Sequence, residues 1–269
     1  MAELDLDALK NRLNSLENKV QKTDNLWKPK PGKQEVRILP YVHNEANPFI
    51  ELYFHYGFGG KNILSPKTFG DADPLCELAD HLYGSAKVSN NQDDYKMAQK
   101  LTPTMRTYVP VIVRGEEAEG VKFWGFGKNV YKELIGLITD PDYAGFIDPV
   151  NGRDITVEFK TAEQLGKNFP ETYIRPKPSV SPVSEDPKIL ELVKDQIELP
   201  TIFKKYEYAE LKKMLESWVD TGQTEADTTE QEVKPTQSKP EAKTEAPEFE
   251  GVTAKKADVG SSFNALFNK

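Results

Sequence analysis

The sequence predicts a β-rich α+β fold: a small five-stranded Greek-key barrel with inserted helices and a small subdomain, followed by a disordered tail. Three observations predict it. Short runs rich in Val, Ile, Tyr and Phe recur between Gly and Pro turns, helical periodicities interrupt them at a few places, and large apolar residues nearly vanish after residue 220.

The first element is a helix over residues 4–21, where Leu6, Leu9, Leu13, Leu16 and Val20 recur at spacings of three and four among polar residues. It makes residues 1–25 a helical arm that docks either on the domain's own core or on a neighbouring copy. Lys28-Pro29-Lys30-Pro31-Gly32 ends the helical pattern, and a core over residues 26–219 begins. Strands are expected at 35–39, 49–54, 108–113, 120–126 and 154–159, and helices at 74–83, 128–138, 187–197 and 207–219. In the last helix Leu211, Leu215 and Trp218 share one face. Residues 220–269 form a mildly acidic tail. From 221 to 258 it is too poor in apolar side chains to offset chain entropy, so disorder is expected there. At its end Phe263, Leu266 and Phe267 stand on an otherwise polar segment, the pattern of a short docking peptide.

Bulk properties narrow the function. No run of about eighteen apolar residues occurs, and Met1-Ala2-Glu3-Leu4-Asp5 has neither the basic start nor the apolar stretch of a signal peptide, so a soluble intracellular protein is expected. The single Cys76 cannot form an internal disulfide. The net charge of −8 argues against a partner rich in phosphate, but it is a sum and leaves room for a basic face.

No phosphate loop, nucleophile elbow or His-Glu-x-x-His motif is present, and no catalytic residues or enzymatic activity are expected. Asp71 and Asp73 could begin a metal-dependent nuclease site, yet a helix cap by Asp73 before Pro74 is the simpler reading. His55, Cys76 and His81 lack the close ligand pairs of a zinc site.

What recurs instead is an aromatic ring beside a cation: Tyr95 with Lys96 and Lys100, Arg106 with Tyr108, Trp124 and Phe126 with Lys128, Tyr131 with Lys132, and Tyr173 with Arg175 and Lys177. A protein holding single strands regardless of sequence needs flat rings for bases and cations for phosphates. Any one such pair is more simply a core ring beside a solvent-side lysine; five in one domain favour a binding face. On a strand over 120–126, Phe123, Gly125 and Gly127 fall on one side and Lys122, Trp124, Phe126 and Lys128 on the other.

Val36-Arg37-Ile38-Leu39-Pro40, Asn47-Pro48-Phe49 and His55-Tyr56-Gly57-Phe58 resemble the entry to the core of the single-stranded DNA-binding proteins of T-even-type myophages. The resemblance continues through Arg106-Thr107-Tyr108, the run from Glu119-Gly120-Val121 to Phe126-Gly127-Lys128, Tyr131-Lys132 and Asp154-Ile155-Thr156-Val157, and covers about residues 26–200. It implies an oligonucleotide-binding (OB-fold) barrel, with Tyr95, Tyr108, Trp124 and Tyr173 as groove aromatics and Arg106, Lys128 and Arg175 on phosphates. It also implies a role in DNA replication, recombination and repair in the cytoplasm of an infected bacterium. Self-association would run through the N-terminal arm, and replication and recombination proteins would bind the tail through Phe263, Leu266 and Phe267.

Three departures qualify the resemblance. Of the family's zinc site, one histidine and three cysteines, only His55 and Cys76 remain, with Ser65 and Asp73 near the other places, so neither a metal nor another cofactor is expected. The arm carries leucines and acids where the family has a basic motif. The tail over 221–269 holds nine acidic residues against six lysines. Two other readings stay open: a non-enzymatic phage structural or interaction protein whose rings are core, and an RNA binder, since a stacking groove accepts either strand.

Overall fold

A computed structural model describes residues 25–58, 60–220 and 259–267. The expected arm helix over 4–21 and the stretch 221–258 lie outside them. Among the described residues the protein is α+β, with eight strands in a mixed sheet and seven helices, and no helix is long and apolar enough to cross a membrane. The chain divides into two compact units.

Unit 1 comprises described residues 25–51 and 106–203. Its strands are β1 (Leu26–Trp27), β2 (Gly32–Ile38), the start of β3 (Ile50–Phe58), most of β5 (Thr104–Val113), β6 (Lys122–Phe126), β7 (Arg153–Lys160) and β8 (Glu171–Val180). They run in the order β1-β6-β5-β2-β7-β8, antiparallel except for β1 on β6. No pairing among the described residues joins β1 to β8, so the closed five-stranded barrel expected from the sequence is not formed: the path has six strands and two ends. Alternation explains the core. Val36 and Ile38 of β2, Val109, Val111 and Val113 of β5, Trp124 and Phe126 of β6, Ile155 and Val157 of β7 and Ile174 of β8 all point to one side. There they meet Val130 and Leu134 from the helix α3 (Lys128–Thr139), which begins at Gly127 and presents residues four apart. Two shorter helices, α4 (Ala162–Leu165) and α5 (Pro187–Lys194), complete the unit; α4 starts in a capping box between Thr161 and Gln164.

Unit 2 comprises described residues from 52–105, 204–220 and 259–267. The rest of β3 pairs antiparallel with β4 (Lys61–Leu64). Helices α1 (Pro74–Ser89), α2 (Gln92–Leu101), α6 (Tyr208–Asp220) and α7 (Val259–Phe267) share a core with this hairpin. Helix α1 starts where Pro74 follows the N-cap Asp73, and its Leu75, Leu78, Ala79, Leu82 and Ala86 form the buried stripe. It ends at Asn90, whose φ of 55° reverses the chain.

Candidate nucleic-acid interface

With the core on one side of the unit 1 sheet, strand parity sends the intervening residues to the other: Lys33 and Glu35 on β2, Tyr108 on β5, Thr156, Glu158 and Lys160 on β7, and Tyr173, Arg175 and Lys177 on β8. The β2–β7–β8 part of this face carries a cleft of about 560 Å³, whose lining includes Lys33, Glu35, Thr156, Glu158, Arg175 and Lys177. Register brings Arg175 opposite Thr156, and Lys33 opposite Glu158.

Not every cation there is available. Lys177 is held by Glu35 at 2.5 Å, and Lys160 lies 3.6 Å from Glu158 with its ammonium 5.3 Å from the centre of the Tyr173 ring. Arg175 and Lys33 are exposed and have no ion-pair partner among the described residues. Tyr173 is 39% exposed, and its hydroxyl donates to Glu171, so the ring stands fixed by its edge with one end anchored. A half-exposed ring with a free arginine two residues along the same strand is the combination single-strand binding uses.

A second locus lies on the same face at β5 and β6. Tyr108 pairs across to Gly125, and its ring lies over that glycine: a Cβ there would come within 2.5 Å of Tyr108 Cε1. Arg106 Nη2 donates to the Gly125 carbonyl at 2.9 Å, and Phe203 lies 6.4 Å from the Tyr108 ring. Gly125 is thus the residue that lets a tyrosine lie flat on the sheet.

The remaining candidates are placed differently. Trp124 and Phe126 are 1% and 4% exposed and point into the unit 1 core, where Trp124 packs edge-on against Trp27 at 5.7 Å and Phe126 at 4.8 Å. The parity expected for this strand holds, but the side bearing Trp124 and Phe126 is the core; these rings offer no face to a base. Tyr131 is half-buried, packed on Phe49 and donating to Glu51 at 2.7 Å, while Lys128 and Lys132 are exposed on α3. Tyr95 and Lys100 belong to α2 in unit 2, where Tyr95 packs on Tyr83 at 5.3 Å and Lys100 is exposed. Of the tail residues, Phe263 is buried in unit 2, with Leu266 and Phe267 half-buried beside it.

His55, Asp73 and Cys76 bring one ligand atom each within 4.8 Å of the others in unit 2. Hydrogen bonds already use this cluster. Asp73 Oδ2 is paired with His55 Nε2 at 2.9 Å and accepts from the Ser65 hydroxyl; Oδ1 accepts from the backbone of Leu75 at 2.9 Å and Cys76 at 3.4 Å. All acceptor positions of the carboxylate are therefore taken. Burial and the neighbouring Asp73 push the Cys76 thiol up to about 12, disfavouring the thiolate a metal requires. The donor set does not fit a closed four-ligand site.

Burial alone would raise the Asp73 pKa, but the His55 and Ser65 hydrogen bonds outweigh it and hold the carboxyl below its ordinary value. A depressed carboxylate stabilises the fold above the unfolded-state pKa, about 3.9, and that contribution disappears as pH falls through the folded value. Thermal melts of the protein and of Asp73→Asn should therefore differ most above about pH 4 and converge in stronger acid. A gap that is the same at every pH would count against this network.

A family model described as gp32 DNA binding protein like matches residues 30–220, well over half of the chain. No curated protein matches it.

Proposed function

The chain belongs to the gp32-like DNA-binding protein family, and from that membership we propose that it coats single-stranded DNA without sequence preference, along the outer face of the unit 1 sheet. The family is one of DNA-binding proteins and not of enzymes. The observation that carries the reading is the half-exposed Tyr173 with the exposed Arg175 on β8, on the same face as Arg106 of β5. Three strand spacings separate the two strands, about 14 Å at roughly 4.8 Å each. Bases stack on Tyr173 and phosphates follow Arg175, Lys33 and Arg106, while the Tyr108 ring, only 9% exposed, is covered and supports the strand.

The five strands β6-β5-β2-β7-β8 form an antiparallel set that supports reading unit 1 as an open relative of the oligonucleotide-binding barrel. The protein acts in phage DNA replication, recombination and repair in the host cytoplasm, and residues 1–25 contribute to self-association. No metal takes part: the hydrogen bonds of His55, Ser65 and Asp73 do the structural work in unit 2.

Titration with a poly-dT oligonucleotide at low and high salt, followed by tyrosine and tryptophan fluorescence beside a duplex control, tests the reading. Quenching by single strands that weakens steeply with salt is expected. No response to poly-dT would leave the rings as structural elements and favour an interaction protein; equal or tighter binding of poly-rU would favour RNA.

A further inference from the structure

The segment expected to dock on other proteins is docked on this chain. In α7, Val259 and Phe263 are each 3% exposed and Phe267 packs beside them, a stripe at four-residue spacing set against α1 and α6 within the unit 2 core. Lys212 of α6 closes the end of the helix: its ammonium lies 5.2 Å from the centre of the Phe267 ring and donates to the Phe267 carbonyl at 3.2 Å.

The connection between α6 and α7 is far longer than this docking needs. Residues 221–258 supply 38 positions between Asp220 and Val259. Helix rise puts Asp220 about 12 Å from Lys212, and Val259 about 12 Å from Phe267. With the lysine side chain between, the gap is about 35 Å at most, which about eleven extended residues bridge. The surplus lets α7 reach a surface other than its own, and one such surface is complementary by construction: α1 and α6 of another copy. The contacts are the same within a chain and between chains, so only the effective concentration set by the tether decides between them.

We propose that α7 exchanges between copies, docking on α1 and α6 of a second molecule, and that the protein self-associates through its C-terminal helix. This does not depend on the DNA-binding reading. The polar tether sets an effective concentration of order millimolar, so association rises as the protein approaches that range.

Sedimentation velocity of the full chain, without DNA, from micromolar to millimolar concentration tests it. Concentration-dependent dimers or larger species are expected. They should be lost in Phe263→Asp and dissolved by excess free peptide spanning residues 257–269. The peptide arm leaves α7 and its groove intact, so it decides the matter even if Phe263→Asp unsettles unit 2. A chain that stays monomeric throughout overturns the proposal. So does association that neither Phe263→Asp nor the peptide diminishes.

Discussion

Asp154→Ala is expected to lower the unfolding free energy of unit 1 by about 3–5 kcal/mol, because it removes one carboxylate from between two arginines. Arg37 is fully buried; its Nε donates to Asp154 Oδ1 at 2.8 Å and its Nη2 to Ser181 Oγ at 2.7 Å. Arg114 reaches the same carboxylate from the other side, through Nη2 to Oδ1 at 2.9 Å and Nε to Oδ2 at 3.1 Å. Its guanidinium also binds the carbonyls of Val183 at 2.5 Å and Pro182 at 3.0 Å. Burial pulls the Arg37 guanidinium below its ordinary pKa, with Asp154 opposing that shift and Arg114 adding to it. Without Asp154 two like charges face one another, one of them with no water. The same network fastens the chain just beyond β8, so the strand carrying Tyr173 and Arg175 should loosen as well. Denaturant unfolding followed by fluorescence checks this, since Trp27 and Trp124 sit in the unit 1 core. A loss of under about 1 kcal/mol, as for an exposed ion pair, would mean that solvent reaches the site. Combining Asp154→Ala with Arg37→Met should recover much of the loss, because the buried charge goes with its partner.

Much of this architecture was legible because it rests on local periodicity. The alternation in Val36 and Ile38, or in Ile155 and Val157, is the alternation of the core. The cap and leucine spacing that begin at Asp73 marked α1, although the helix runs six residues beyond the expected 83. Strand β8 escaped notice because Pro176 and Pro178 argue against a strand; it is an edge, paired with β7 alone, where a missing N–H is tolerated. Helix α2 was missed because Gln92 to Lys100 is mostly polar and buries little beyond Met97, Ala98 and Leu101. The stretch 122–126 misled for another reason. Its parity was correct, but Phe123 and Trp124 are both buried, so β6 is covered on both faces, and alternation cannot tell which side a solvated groove would occupy. Arg37 and Arg114 converge on Asp154 from residues 117 and 40 positions away, a distance no local pattern bridges. The tail's apolar residues did announce docking, while the identity of the surface they meet depends on α1 and α6.

The variants that separate binding from folding follow from the same distinction. Tyr173→Ala is expected to weaken poly-dT binding by about 1–3 kcal/mol, the usual worth of one stacked base, with little change in stability because the ring is 39% exposed. Arg175→Ala should weaken binding to all single-stranded sequences alike and reduce the slope of log affinity against log salt by about one, as one fewer counterion is released. Trp124→Ala serves as the contrast: at 1% exposure, its removal should cost about 3–5 kcal/mol of stability through the cavity left behind. Under conditions where that variant is still folded, its affinity should stay near that of the parent. If Trp124→Ala abolished binding at unchanged stability while Tyr173→Ala and Arg175→Ala bound normally, the β8 face would be the wrong surface. Binding would then have to open the unit 1 core around β6, exchanging the Trp27 contact for a base.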